Sequence, residues 1–600
     1  MTYIDEVFKE VPPLETVSKI KSILTELGIQ MKDQCVDIGV ENSNIVRVMT
    51  DRSFPATAGK GVTKEFAMAS GYAEFIERLQ CGLMFYKYQC LEDDPKLNLH
   101  TYAPDAVYLS REELIENGEW MDAIIETYGS SLSREKIADQ CVMYANSDRV
   151  LCLPFYSYFE DKSVLLPCGF VEHMYSANGC CAGNTKDEAW VHAISEMFER
   201  NATIYHLLHN DACSVISEDT LQSFPTVSNI LSQIRADGHL SVTVFDFSRD
   251  FGIPVIATRV INLQTQDYLV NIGADPVLEI AIERTLTEIF QRGPIDTLCT
   301  YRPGKPIPIS QREISTANNV LNQLELAKGL FSAAFFCENG KEKTKDDFPD
   351  YSQKTNTQLV EIMMEELKKT GKPVYIRNYS FLGFPCYKFV VPGFSESRGV
   401  RLTQPLQEYA LGTIASRTLR NIEKATDEQL DALLIHRNMI SDANSRAGNF
   451  SFLSGIPFEK CEISASLANL HYAYAAYKLH RYTEASQYLM ITSKHLSDPA
   501  EKQYLKCFAR YLDFLSKGCE GAKAKTVIEK LFPQDVTIKF FSALASGNPF
   551  GNRLVRCNPS QCNDCRYFDI CHYSYAAELI SLAGEKYQTF FGGQDPSCFK

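Results

Sequence analysis

The chain has 600 residues and sets 60 Lys and Arg against 75 Asp and Glu, a net charge of −15. That balance argues against nonspecific binding to nucleic acid or anionic membrane. With 45% hydrophobic and 22% charged residues, it is not a disordered, collagen-like or coiled-coil chain. Its length allows about four domains, or two or three larger ones.

No apolar run approaches the roughly 20 residues that span a bilayer. Residues 1–10 carry two acids before Lys9 and lack the basic start and apolar core of a signal peptide. A cytoplasmic location is therefore expected, with most of the 20 cysteines as reduced thiols.

In chain order, residues 14–28 predict an amphipathic helix. Leu14, Val17, Ile20, Leu24 and Leu27 recur at helical spacing, and Gly28 supplies the stop. Strand-like runs follow at 45–49, 242–247, 254–261, 374–379 and 387–391, with a reverse connection at Arg249-Asp250-Phe251-Gly252. Helical patterns alternate with them, so the expected core is α+β, or mixed α/β. Residues 302–357, rich in Pro, Lys, Asp and Thr, read as an insertion or long loop, and 442–455 as a linker. Beyond it, residues 463–496 place Ala, Leu and Tyr at helical spacing in a tetratricopeptide-like pattern, with Tyr482 and Ala485 near the second helix. A further helix is expected at 504–515.

The chain repeats itself. Gly61-x-Thr63-Lys64 is followed by Ala67, Glu74, Glu77 and Arg78; Gly183-x-Thr185-Lys186 is followed by Ala189, Glu196, Glu199 and Arg200, each offset by the same 122 residues. A weaker third copy has Ala281, Glu288, Gln291 and Arg292. On a helix, positions i, i+3 and i+4 share a face, so each E-x-x-E-R presents two carboxylates and a guanidinium together. One isolated copy is usually a solvated face with weak ion pairs. Two copies brought face to face would gather four carboxylates, and Glu188 and Glu288 would make six. Partly buried carboxylates need cations or they take up protons, and hard oxygen ligands suit Mg²⁺. Bridging Mg²⁺ would admit a nucleotide triphosphate, with Arg200 and Arg284 on its phosphates. Neither Gly59-Lys60-Gly61 nor the Gly179–Gly183 stretch has P-loop or Rossmann spacing. The adjacent Cys180 and Cys181 are expected as packing residues, and His192, one turn before Glu196, as a polar neighbour.

Near the C-terminus, Cys557, Cys562, Cys565 and Cys571 put four thiols in 15 residues. Such a set fits an iron–sulfur cluster or tetrahedral Zn²⁺, with unligated thiols as the third reading.

Three stretches together resemble the YcaO family: Gly59-Lys60-Gly61 with Ser70-x3-Glu74-x2-Glu77-Arg78; Ser176-Ala177-Asn178-Gly179-x3-Gly183-Asn184-Thr185-x2-Glu188-Ala189 with Glu196-x2-Glu199-Arg200; and Glu283-Arg284-x3-Glu288-x2-Gln291. The resemblance covers roughly residues 1–425, and the helical C-terminal part is similar to the long stand-alone bacterial type. It implies a YcaO-type core with an internal pseudo-repeat (1–425), a linker (426–460), a tetratricopeptide-like helical region (461–545) and a Cys-rich tail (546–600).

The resemblance also implies ATP-dependent activation of a peptide backbone amide. The amide oxygen takes the γ-phosphoryl group, a nucleophile adds to the carbon, and phosphate leaves. A neighbouring Cys, Ser or Thr gives an azoline; sulfide gives a thioamide. By the same resemblance, Glu74, Glu77, Glu188, Glu196, Glu199 and Glu288 hold Mg²⁺, while Lys9, Thr16, Cys181, Asn184, Arg200 and Arg284 bind ATP. Cys181 stands where the long type has Ser, losing a hydroxyl contact. No Pro-rich C-terminal tail or N-terminal peptide-recognition domain is evident, which argues against a typical azoline synthetase. The long type is associated with methylthiolation of a small-subunit ribosomal protein. A peptide or protein substrate and a homodimer are expected on this basis. A non-catalytic ATP-binding accessory factor, acting through its helical region, is the alternative.

Overall fold

In the computed structural model, the described residues are 9–294, 317–397, 411–439, 464–554, 564–565 and 573–592, less 53–54, 86–97 and a few shorter gaps. They divide into two compact units. The first comprises Met1–Met84, Leu99–Pro405 and Leu582–Lys600; the second comprises Phe85–Asn98 and Leu406–Ser581.

Three antiparallel-rich sheets build the first unit. One has the order β1 (Met31–Val36), β2 (Asn44–Thr50), β3 (Ala56–Gly61). A six-stranded sheet runs β4 (Val107–Ser110), β5 (Arg149–Ser157), β13 (Tyr375–Asn378), β14 (Cys386–Val390), β7 (Cys180–Ala182), with β6 (Lys162–Pro167) on β5. A five-stranded sheet runs β11 (Tyr268–Ala274), β10 (Val255–Asn262), β9 (Leu240–Asp246), β8 (Val215–Ile216), β12 (Glu342–Lys343). All five strand-like runs read from the sequence are strands. The expected N-terminal helix is α1 (Pro13–Glu26); it buries Val17, Ile20 and Leu24, whereas Leu14 in its first turn is 55% exposed.

The repeat has a structural counterpart. Each copy is a strand at one end of its sheet that hands the chain to a helix: β3 to α2 (Lys64–Gln80), β7 to α3 (Lys186–Leu208), β11 to α4 (Leu278–Ile289). Close packing of each strand on its own helix explains the small residues. A Cβ on Gly61 would lie 2.7 Å from the Ala67 nitrogen, and one on Gly183 would lie 2.7 Å from the Ala189 nitrogen. Two residues earlier in the strand, a Cβ on Gly59 would lie 2.0 Å from the Ala67 oxygen, and one on Gly273, at the matching place, 3.0 Å from the Ala281 oxygen. Such backbone contacts leave no room for a side chain. The third copy is therefore as genuine as the others, although fewer of its residues match.

Caps fix where the first two helices start. Thr63 accepts from the Phe66 amide and Thr185 from the Glu188 amide. In the third copy Val277 cannot cap, and Asp275 accepts the Val277 amide instead at 3.0 Å.

The second unit is helical: α6 (Asp427–Met439), α7 (Ser464–Lys478), α8 (Tyr482–His495), α9 (Pro499–Ser516), α10 (Gly521–Leu531) and α11 (Gln534–Ala545), with α5 (Asn356–Lys369) preceding them in the first unit. Ala473, Ala476 and Ala485 are fully buried between helices, and Leu489, Phe508, Leu512 and Phe540 fill the core. The expected helix pair and the next helix are present. Among the described residues, no helix is long and apolar enough to cross a membrane.

Two expectations are corrected. The linker expected at 426–460 begins as α6, which buries Leu430, Leu433 and Leu434; those leucines pack into the helical core. Residues 440–460 lie outside the described residues. The loop expected at 302–357 contains helices at Ala317–Leu326 and Ala333–Phe336, because Val320, Phe331 and Phe335 join the core of the first unit. Residues 302–316 lie outside the described residues. So do Cys557, Cys562 and Cys571 of the cysteine group; Cys565 is half-buried. Among the described residues, no group of His, Cys, Asp and Glu could hold a metal ion.

Candidate active site

The strand–helix copies gather the repeated carboxylates in the first unit. Helix α2 carries Glu74 and Glu77, α3 carries Glu188, Glu196 and Glu199, and α4 carries Glu288. Burial pushes the Glu77 carboxyl up to about 8; Glu196 and Glu74 push the same way, against Arg78 and Lys388. Burial also pushes Glu199 up, and Glu288 adds to it. The helices of copies one and two, and of copies two and three, thus bring acids within electrostatic reach of each other.

Basic groups are interleaved with them. Arg78 lies 3.4 Å from Glu74 and 3.8 Å from Glu77. Arg200 lies 3.1 Å from Glu196 and also donates to the Leu324 carbonyl at 2.8 Å. Lys60 lies 2.5 Å from Glu288. Burial opposes ionisation of Glu288, but Lys60, Arg200 and Arg284 outweigh it and hold its carboxyl below the ordinary range. Glu199 accepts the Ala274 amide at 3.2 Å, which joins α3 to the end of β11.

The N-terminal segment closes one side. Lys9 donates to Glu188 at 3.2 Å, and Thr16 of α1 donates to Asn184 at 3.0 Å. The Asn184 amide donates in turn to both Glu188 oxygens, at 3.2 and 3.4 Å. His192 lies within electrostatic reach of Arg284, Lys9, Lys60 and Arg78, so these cations surround one place. The structure thus joins Glu188 to Lys9, Thr16 and Asn184, sets Glu74, Glu77 and Glu196 within electrostatic reach of one another, and sets Glu199 and Glu288 within reach of Arg200 and Arg284.

Cys181 is the exception. Its side chain is fully buried in the core, and its thiol faces the Tyr387 carbonyl at 3.6 Å. Burial pushes that thiol well up, so it stays protonated and packs rather than binds. Cys180 is buried as well, as expected for packing.

Three groups in the site were missed. Lys60 lies within Gly59-Lys60-Gly61, and its partner Glu288 is too far along the chain for the sequence to suggest it. Arg78, the copy-one equivalent of Arg200, was read only as part of the E-x-x-E-R pattern. Asp275 was not singled out: it occupies the place of Gly61 and Gly183 in the third copy, and burial raises its carboxyl to about 6 against Arg284. The 92-residue offset between the second and third copies, applied to Gly183, would have found it.

The donor types suit Mg²⁺ and a nucleotide triphosphate, although no three acidic side chains among the described residues stand close enough together to form a ready-made metal site. The donor set is all hard oxygen. The buried Nε atoms of Arg200 and Arg284 have no hydrogen-bond partner among the described residues. Orphaned guanidinium donors beside a carboxylate cluster suit phosphate oxygens bridged by cations.

Comparison with known proteins accords with this geometry. Residues 58–395, more than half of the chain, match the family described as "YcaO cyclodehydratase, ATP-ad Mg2+-binding". The chain belongs to the YcaO family. Among YcaO relatives, an Escherichia coli protein named "Ribosomal protein S12 methylthiotransferase accessory factor YcaO" is 26% identical over 388 residues, 64% of each chain. A Haemophilus influenzae protein named "Uncharacterized protein" is 24% identical over 389 residues, again 64% of each. The match thus spans under two thirds of the length of both relatives. A solved YcaO from Methanopyrus kandleri, bound with AMPPCP and Mg2+, is 16% identical with a TM-score of 0.42, covering 66% of this chain and 93% of that one.

Proposed function

We propose that this chain is an enzyme that binds Mg-ATP in the carboxylate site and activates a backbone amide of a peptide or protein substrate. The observation that carries the reading is that Glu196, Glu199 and Glu288, from two pseudo-equivalent helices, surround Arg200, and that Glu199 and Glu288 also lie within electrostatic reach of Arg284; both guanidiniums have an orphaned Nε. Membership of a family described as binding ATP and Mg²⁺ supports it.

In this reading Glu74, Glu77, Glu188, Glu196, Glu199 and Glu288 hold Mg²⁺. When bound, Mg-ATP supplies an electrophilic phosphoryl group for the amide oxygen. Arg200 and Arg284 bind phosphate oxygens, their five-donor forks being suited to that. Lys9 and Thr16 hold Glu188 and Asn184 in register from the N-terminal side. Lys60 orients Glu288. Partial burial strengthens each of these interactions relative to water.

The chemistry after activation is assigned to sulfur: thioamidation, or a step in methylthiolation of a ribosomal protein, as the name of the Escherichia coli relative suggests. In the same reading the chain divides into a core, a linker, a tetratricopeptide-like region that contacts a protein partner, and a Cys-rich tail whose four cysteines bind a 4Fe-4S cluster or Zn²⁺. The test is phosphate release from ATP by the purified chain, with and without ribosomal protein S12. Release that depends on both Mg²⁺ and the protein substrate is expected. Tight ATP binding without turnover, alongside a stable complex with that protein, would favour the accessory role instead.

A further inference from the structure

Ser70, His192 and Arg284 occupy the same position in the three copies, four residues before Glu74, Glu196 and Glu288. The pseudo-symmetry that gathers the glutamates therefore gathers this position too. Its outcome is a direct contact: the Arg284 Nη1 lies 3.5 Å from the His192 Nδ1. No carboxylate is in ion-pair contact with Arg284 among the described residues, although Asp275, Glu199 and Glu288 all lie within electrostatic reach.

The contact selects one tautomer when it is made as a hydrogen bond. A guanidinium only donates, so Nδ1 must accept, and the imidazole proton sits on Nε2. Burial, with Arg284, Lys9, Lys60 and Arg78 nearby, holds His192 well below its ordinary value, in the same neutral form. A carboxylate in this place would also aim the guanidinium, but it would neutralise much of its charge and compete with a phosphate for its donors. A neutral acceptor orients the guanidinium and leaves its charge free. The Nε of Arg284 remains buried and unpartnered, ready for a ligand oxygen.

We infer that His192 is a positioning residue of the nucleotide site: its Nδ1 aims the Arg284 guanidinium at a phosphate oxygen of bound ATP. This rests on the proposed phosphate role of Arg284. It gives His192 no part in proton transfer to the substrate.

The test is Mg-ATP binding by calorimetry to the full chain and four variants, with thermal melting as the fold control. Arg284→Ala should weaken binding about 30-fold, and His192→Ala about tenfold, as expected for losing a hydrogen bond to a charged group. His192→Asn, whose Oδ1 stands near the place of Nδ1, should recover affinity to within about threefold of wild type. In Arg284→Ala, adding His192→Ala should cost nothing further, because the arginine it served is gone. Wild-type affinity in His192→Ala, or full additivity of the two alanines, would overturn the inference while leaving the phosphate role intact. Failure of His192→Asn to improve on His192→Ala in a folded protein would overturn it too. Unchanged affinity in Arg284→Ala would instead remove the phosphate role, and the inference with it.

Discussion

Alanine at both Glu196 and Glu199 is expected to abolish saturable Mg-ATP binding, weakening it by more than about 100-fold, since even outer partners of metal ligands cost 10- to 100-fold. The two residues sit one turn apart on α3. Glu196 is within electrostatic reach of Glu77, and Glu199 of Glu288. Removing both therefore takes the middle out of the carboxylate array. The fold should survive. Glu199 is disfavoured as a carboxylate by burial and by Glu288, so its loss relieves a cost that offsets the lost hydrogen bond from the Ala274 amide, and the Glu196–Arg200 pair is one local contact. Calorimetry with a circular dichroism control checks both halves of this prediction. Tight binding by the folded double variant would place the nucleotide elsewhere.

The second large effect is on stability against pH. Glu77 has an ordinary value of 4.5 and is pushed up to about 8 by burial and neighbouring acids. Its folded pKa is raised above its unfolded one. Between these values the folded chain keeps a proton that the unfolded chain has released, so stability falls as pH rises from about 4.5 to 8. The shift corresponds to a loss on the order of 5 kcal/mol. Urea unfolding with a chelator present should show this fall, and Glu77→Gln should make it shallower, because the amide does not titrate; Glu199 and Asp275, also raised by burial, supply the slope that remains. Divalent cations should reverse it by stabilising the ionised carboxylates, so that Mg²⁺ binding near neutral pH releases protons. A flat profile in wild type, or an equally steep one in Glu77→Gln, would show that Glu77 is not the group responsible.

Much of the site was legible because its logic is local. Glu74, Glu77, Glu196 and Glu199 lie on single helices at i, i+3 spacing, and their repetition at one offset marks them without any tertiary knowledge. The five strand-like runs were legible from their apolar continuity, since β10, β11 and β14 are almost entirely buried. What escaped depended on contacts between distant segments. Asp275 replaces a glycine of the first two copies, so composition disguised it, and only the meeting of α4 with β11 and the N-terminal Lys9 gives it a role. Lys60 gains its meaning from Glu288, which lies 2.5 Å away but far along the chain. Cys181 matched by sequence position, yet its side chain turns into the core against Tyr387. The helices at Ala317–Leu326 and Asp427–Met439 were hidden by polar neighbours, and long-range packing of a few apolar residues holds them.

The helix-to-helix convergence also gives the pseudo-repeat a physical purpose. One E-x-x-E-R helix presents two like charges to solvent. Two such helices and the helix that carries Glu288, each pinned to its strand by glycine contacts, place partly buried carboxylates and guanidiniums within electrostatic reach of one another. Carboxylates gathered in this way favour cations, and the interleaved arginines favour what those cations carry.

The most direct measurement is a calorimetric titration of ATP into the purified full chain, run with Mg²⁺ and again with chelator. The carboxylate site predicts saturable binding with Mg²⁺ and little or none without it, because the acids repel a bare triphosphate. Equal binding in both conditions, or no binding to folded protein in either, would contradict it.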